Sequence, residues 1–130
     1  MSQKGVILPE TRRRLRHWYA EELLEKTPVL RGSFFGGAFG LFGQAAVTID
    51  GTVHLTRHAP DDLDSVVGVA LLGHELFHVV QQREIGWGRF LGKYVLSWRR
   101  WHVRDGRAHP LEAPAYARGE EIRRALEGMG

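Results

Sequence analysis

One stretch of this chain constrains its fold more than any other: "DLDSVVGVALLGHELFHVVQQR", residues 62 to 83. Read at helical spacing, its valines, leucines and Phe77 leave almost no polar face. A helix apolar nearly all round is one that lies buried at the centre of a domain. In its middle stand His74, Glu75 and His78, the pattern H-E-x-x-H. Two histidines and a glutamate are costly in such a helix unless a partner satisfies them. At about 100° per residue, His74 and His78 project roughly 40° apart on one face. One tetrahedral ion can bridge two imidazoles placed in that way. Glu75 points too far round to join the same ion, and is placed instead to take a proton from a water that the ion activates. The alternative is a structural pair of hydrogen-bonded histidines.

The rest of the composition narrows the choice of ion. With no cysteine among 130 residues there is neither a disulfide framework nor a thiolate site. A metal must then be held by His, Asp or Glu, which suits zinc bound through nitrogen and oxygen. The length fits one domain, residues 1 to 130, with a single core. "MSQKGVILPE" has no apolar run long enough for a signal peptide, and no segment is long enough to span a bilayer. The expected location is therefore cytoplasmic. The net charge is +3. Arginines cluster at Arg12, Arg13, Arg14 and Arg16, and again at Arg99, Arg100 and Arg104, near Trp18, Trp98 and Trp101. Such clusters read either as solvated helix faces or as a surface for nucleic acid or an anionic membrane.

Along the chain, Pro9 and the spacing of Leu15, Trp18, Tyr19 and Leu23 predict one amphipathic helix over residues 9 to 26, ended by Thr27-Pro28. "RGSFFGGAFGLFGQ", residues 31 to 44, reads as an irregular strand whose phenylalanines fill the core, as a lipid-touching loop, or as a flap over a cleft. "AAVTIDGTVHLTR" predicts a hairpin turning at Asp50-Gly51. Asp61, Asp62 and Asp64 are expected to cap the central helix. "FLGKYVLSWRRWHV" resumes helical spacing, Asp105-Gly106 turns the chain, and Pro110 opens a last helix to about Leu126. The fold class is α+β: a small hairpin-based sheet packed on the central helix, with helices on either side.

A catalytic zinc site usually takes three protein ligands. The downstream candidates for the third are His102, Asp105, His109, Glu112, Glu120 and Glu121. In the last helix, Leu111, Ala115, Ile122, Ala125, Leu126 and Met129 form the apolar stripe. Glu112 lies on its edge, whereas Glu121 points roughly 180° from Glu112 and Glu120 about 80° away. Glu112 is the carboxylate best placed to face the core, and His102 is its main rival.

An H-E-x-x-H followed by a glutamate on a second helix resembles the gluzincin metallopeptidases. "EAPAY", residues 112 to 116, is similar to their E-x-x-A-D motif, with Tyr116 in place of the acid. More closely, "QAAVTIDGTVHL", "LLGHELFHVVQQ" and "HPLEAPAY" together resemble the small metallopeptidase domain associated with extracellular contractile injection systems, and the compact minigluzincins. The resemblance covers roughly residues 36 to 120. It implies a zincin-like fold, zinc held by His74, His78 and Glu112, and Glu75 as general base. It also implies that a strand just before the central helix, here "TVHLTR", pairs with an extended peptide substrate. Phe77 stands where the family has threonine, a packing change. Tyr116 replaces an acid that would orient a zinc-bound histidine, and its hydroxyl could instead donate to an oxyanion.

The activity expected is hydrolysis of peptide bonds by a zinc metalloendopeptidase acting on a peptide or protein substrate. The competing expectation is a zinc-stabilised binding or scaffold module with little activity, using its basic surface.

Overall fold

The computed structural model describes residues 3–7, 9–41, 44–101 and 109–129. Its elements run β1 (Gln3–Val6), α1 (Pro9–Leu15), α2 (Glu21–Lys26), β2 (Pro28–Arg31), α3 (Phe34–Gly40), β3 (Ala46–Ile49), β4 (Thr52–Leu55), α4 (Val66–Ile85), α5 (Trp87–Trp101) and α6 (Glu112–Met129). The class is α+β, as expected. The expected turn at Asp105-Gly106, the rival ligand His102, Arg104 and Phe42 lie outside the described residues, as do the side chains of Trp98, Arg99, Arg100, Trp101 and Met129.

The hairpin forms where its turn chemistry places it. Asp50 and Gly51 both adopt positive φ, 49° and 79°, and Ile49 pairs with Thr52 across a two-residue turn. The sheet is larger than the hairpin alone, with four strands in the order β1-β2-β4-β3. β2 runs parallel to β4, and β1 runs antiparallel to β2. Strands of four residues are too short to show an alternating pattern, so β1 and β2 left no clear mark in the sequence. The wider sheet corrects one expectation. "TVHLTR" contributes β4, which is hydrogen-bonded on both sides and has no free edge for a peptide. The free edge beside α4 belongs to β3.

The predicted helix over residues 9 to 26 is broken into α1 and α2. Leu15 and Leu24 are both fully buried. Nine residues apart on one straight helix they would point to opposite faces, so the chain must turn to bury both. Arg16 bridges the break to Glu21, and the Tyr19 hydroxyl donates to the Gly73 carbonyl. The arginine cluster of α1 is paired: Arg13 with Glu10, Arg14 with Asp64 and Glu10, Arg16 with Glu21. Such ion pairs are what a solvated helix face carries.

Segment 31 to 44 also differs from the irregular strand expected. Ser33 caps α3 by accepting from the Gly36 amide. Gly36 and Gly40 are buried, whereas Phe34 is 82% and Phe35 44% exposed. A Cβ at Gly36 would lie 2.4 Å from the Leu55 carbonyl oxygen. The glycines, not the phenylalanines, form the packed face, because the helix lies directly on the backbone of β4.

Ser65, not the preceding aspartates, caps α4 by accepting from the Gly68 amide. Within the 20 residues of α4, Val69, Leu72, Leu76 and Val79 carry the core contact. Two glycines bring α6 close: a Cβ at Gly73 would sit 2.2 Å from Ile122 Cδ1, and one at Gly119 would sit 3.5 Å from His74 Cβ. Gln82 fastens α4 to the hairpin, donating to the Thr48 carbonyl and accepting from the Gly51 amide at 3.0 and 2.8 Å. Among the described residues no helix is long and apolar enough to cross a membrane.

Candidate metal site

The close crossing of α4 and α6 sets Glu112, the first residue of α6, against the two histidines of α4. Glu112 Oε1 lies 3.2 Å from His74 Nε2 and 2.6 Å from His78 Nε2. One ligand atom from each residue falls within 4.8 Å of the others, and this trio could hold a metal ion. A tetrahedral ion with bonds of about 2.0–2.1 Å needs its ligand atoms roughly 3.3–3.5 Å apart. Glu112 Oε1 stands near that spacing from His74 Nε2 and inside it from His78 Nε2, so the donor atoms are close enough together for an ion of this size. Two imidazoles and one carboxylate are also the donor types such an ion takes.

Glu75 is not among the three. Its carboxylate flanks them, with Oε2 3.8 Å from His74 Nε2. Thr48 of β3 holds it from behind, with Oγ1 3.0 Å from Glu75 Oε1 and 3.2 Å from the Glu75 carbonyl. The side placement expected of Glu75 is therefore present. Glu75 and His78 are 5% and 6% exposed, so burial must be offset by these contacts.

The charges follow from the same geometry. Burial would raise the Glu112 pKa, but its hydrogen bonds with His74 and His78, and their charge, hold it well below the ordinary carboxylate range. Burial would lower the His78 pKa, but the Glu112 hydrogen bond and the Glu75 and Glu112 charges leave it raised. Glu112 is thus an anion at neutral pH, aimed at the midpoint of two imidazoles.

A family model described as the eCIS core domain matches residues 7–86, more than half of the chain. The chain belongs to the eCIS core domain family. The match takes in α4 with His74, Glu75, His78, Gln81 and Gln82. It ends before α5 and α6, so Glu112 and Tyr116 lie beyond the matched span. No curated protein and no solved structure matches the chain.

In this eCIS core domain the other candidate ligands among the described residues, His109, Glu120 and Glu121, are placed elsewhere. His109 is fully buried, but its Nε2 meets the Tyr94 carbonyl at 2.9 Å and its Nδ1 accepts from the Leu111 amide. Both nitrogens are engaged in joining α5 to the start of α6. Glu120 pairs with Arg123 and Arg124, and Glu121 is exposed. Tyr116 stands edge-on to His74, ring centroids 4.5 Å apart. Phe77 packs beneath the Arg118 guanidinium.

Two contacts escaped sequence reasoning. The Tyr94 hydroxyl donates to Glu112 Oε2 at 2.9 Å, which leaves Oε1 to face the histidines. The sign was a tyrosine on the apolar stripe of α5, where a hydroxyl needs a partner. Gln81, three residues after His78, lies 2.8 Å from His78 Nδ1 through its Oε1.

The trio opens onto a cleft of about 860 Å³. Its walls include the β3 edge, Phe35 and Phe39 of α3, Trp87 and Leu91 of α5, and Tyr116 of α6. That volume is in the range of sites that enclose a ligand of several hundred daltons, about 300–1,000 Å³.

Proposed function

We propose that this eCIS core domain is a zinc metallopeptidase of the gluzincin type, serving a contractile injection system. The observation that carries this reading is the convergence of His74, His78 and Glu112, with Glu75 beside them, at the floor of a cleft bordered by a free strand edge. An H-E-x-x-H helix between such an edge and a second ligand-bearing helix supports the zincin-like assignment.

Zinc, when bound by the trio, supplies a Lewis acid that polarises a peptide carbonyl and makes a nearby water easier to deprotonate. The chain's own residues do the rest. The side of β3 turned away from β4 lines the cleft without a strand partner, and an extended peptide can add to it as a further strand. Glu75 takes a proton from the attacking water and returns it to the leaving amine. Thr48, through its hydrogen bond, keeps the Glu75 carboxylate turned to that task. Tyr116, 41% exposed and against His74, is in position to donate to the oxygen that gains charge. Phe35, Phe39, Trp87 and Leu91 favour a substrate with large apolar side chains near the scissile bond.

The test is metal analysis of purified protein, followed by digestion of a peptide library with and without chelator. One zinc per chain, with cleavage abolished by chelation and by Glu75→Gln, is expected. Protein that takes up zinc but cleaves nothing would point to a metal-stabilised binding module. Protein that takes up no zinc would end the reading.

A further inference from the structure

Gln81 has no part in the chemistry proposed above, yet its side chain is fixed at both ends. The amide lies between the Leu111 carbonyl oxygen, 3.1 Å from its Nε2, and His78 Nδ1, 2.8 Å from its Oε1. A backbone carbonyl can only accept, so the end facing Leu111 must be the amino group. The end facing His78 is then the amide oxygen, which also only accepts. His78 must therefore carry hydrogen on Nδ1. In a neutral imidazole with hydrogen there, the lone pair sits on Nε2, the nitrogen that faces Glu112 and the centre of the trio.

We infer that Gln81 is a positioning residue for the metal site: it holds His78 in the Nδ1–H form and presents Nε2 as the donor atom. This rests on the reading of His74, His78 and Glu112 as metal ligands. The residue does a second thing through the same amide. Leu111 immediately precedes Glu112, so the bond from Gln81 ties α4 to the start of α6. One side chain thus helps to fix the spacing of two ligands that the close crossing of α4 and α6 brings together. His74 receives different support, an aromatic edge from Tyr116, so the two histidines are oriented by unlike means. Gln82, the next residue, points to the hairpin instead, which separates the roles of the two glutamines.

The experiment compares zinc affinity of wild type, Gln81→Met and Gln81→Glu by competition with a chromogenic chelator. It also records the imidazole NMR signals of the zinc-loaded proteins. Loss of a hydrogen bond behind a metal-bound histidine typically weakens affinity about 10–100-fold, and that is expected for Gln81→Met. Gln81→Glu should recover only part of that loss, because its carboxylate still accepts from Nδ1–H but cannot donate to the Leu111 carbonyl. Zinc-loaded wild type should show a downfield His78 Nδ1–H protected from exchange, absent in Gln81→Met. Equal affinity of wild type and Gln81→Met would overturn the inference while leaving the metal site intact. So would a wild-type His78 that carries its hydrogen on Nε2 and binds zinc through Nδ1, a result independent of whether either variant folds. Wild type that binds no zinc would overturn the metal site and this inference together.

Discussion

Helices α3 and α4 border the same cleft, and each departs from the usual division of apolar inside and polar outside. On α4, Glu75, His78 and Gln82 are 5–6% exposed while Val67 is 63% exposed. On α3, Gly36 and Gly40 are buried while Phe34 and Phe35 face solvent. The two departures are resolved differently. Every buried polar group of α4 named here has a partner within the chain: Thr48 for Glu75, Glu112 and Gln81 for His78, the hairpin for Gln82. Among the described residues, the exposed rings of α3 stand edge-on to each other, and Phe35 edge-on to His54. Polar burial must be satisfied before the chain will fold, whereas apolar exposure can wait for a ligand. On the function proposed above, one helix serves chemistry and the other contact.

The largest expected effects fall on the α4 side. Glu75→Gln should keep the metal and lower peptidase activity by about 10²–10⁴-fold, the usual share of a general base. Loss of zinc in that variant, read by elemental analysis, would mean Glu75 is a ligand and not a base. Removing the metal comes next. An ion that binds only the folded chain, present at about 100 times its dissociation constant, adds about 2.7 kcal/mol of stability. Chelation should therefore lower the melting temperature by several degrees, and an unchanged curve after confirmed metal loss would show that the trio is satisfied without an ion.

On the α3 side the sharpest contrast is between adjacent glycines. Gly36→Ala would place a Cβ against the Leu55 backbone, which cannot swing away. Overpacking of that kind typically costs about 1–3 kcal/mol. Gly37→Ala meets nothing within 4 Å. It should stabilise by about 0.4–1 kcal/mol through reduced freedom of the unfolded chain. Denaturant titrations giving both changes the same sign would mean that α3 does not lie on β4 through its glycine face.

How much of this was legible depended on whether the signal was local. The Asp50-Gly51 turn, the α4 pattern and the helical phase of Glu112 are each carried by residues close in sequence, and each led to the right element. The helix break at residues 16 to 20 was not legible, because Leu24 reveals its burial only when packed against elements far along the chain. The position of β4 inside the sheet depends on β2, whose four residues carry too little pattern to announce a strand. The phenylalanines misled for a physical reason. Apolar side chains are ordinarily the buried ones, but glycine lets backbone meet backbone, and that contact took precedence on α3. Gln81 and Tyr94 were visible as residues, but their partners, Leu111 and Glu112, lie on the far side of a long connection.

The smallest effect on stability tests the claim that α3 is organised for contact. Phe35 and Phe39 line the cleft, whereas Phe34 is 82% exposed and is not part of its wall. A phenylalanine fully buried contributes roughly 1.5–3 kcal/mol, so a half-exposed one contributes about 1 kcal/mol or less. Phe35→Ala should therefore unfold at nearly the wild-type denaturant concentration, and Phe39→Ala, at a more buried ring, slightly below it. Their effect should appear in function, as a raised KM for peptides with large apolar side chains and a smaller change for polar ones. Phe34→Ala serves as the internal comparison and should alter neither quantity. Were the rings core residues, Phe→Ala would instead cost about 3–5 kcal/mol. A loss of that size at Phe39, with unchanged kcat/KM in the folded fraction, would assign α3 to the scaffold and leave the α4 side of the cleft to choose the substrate.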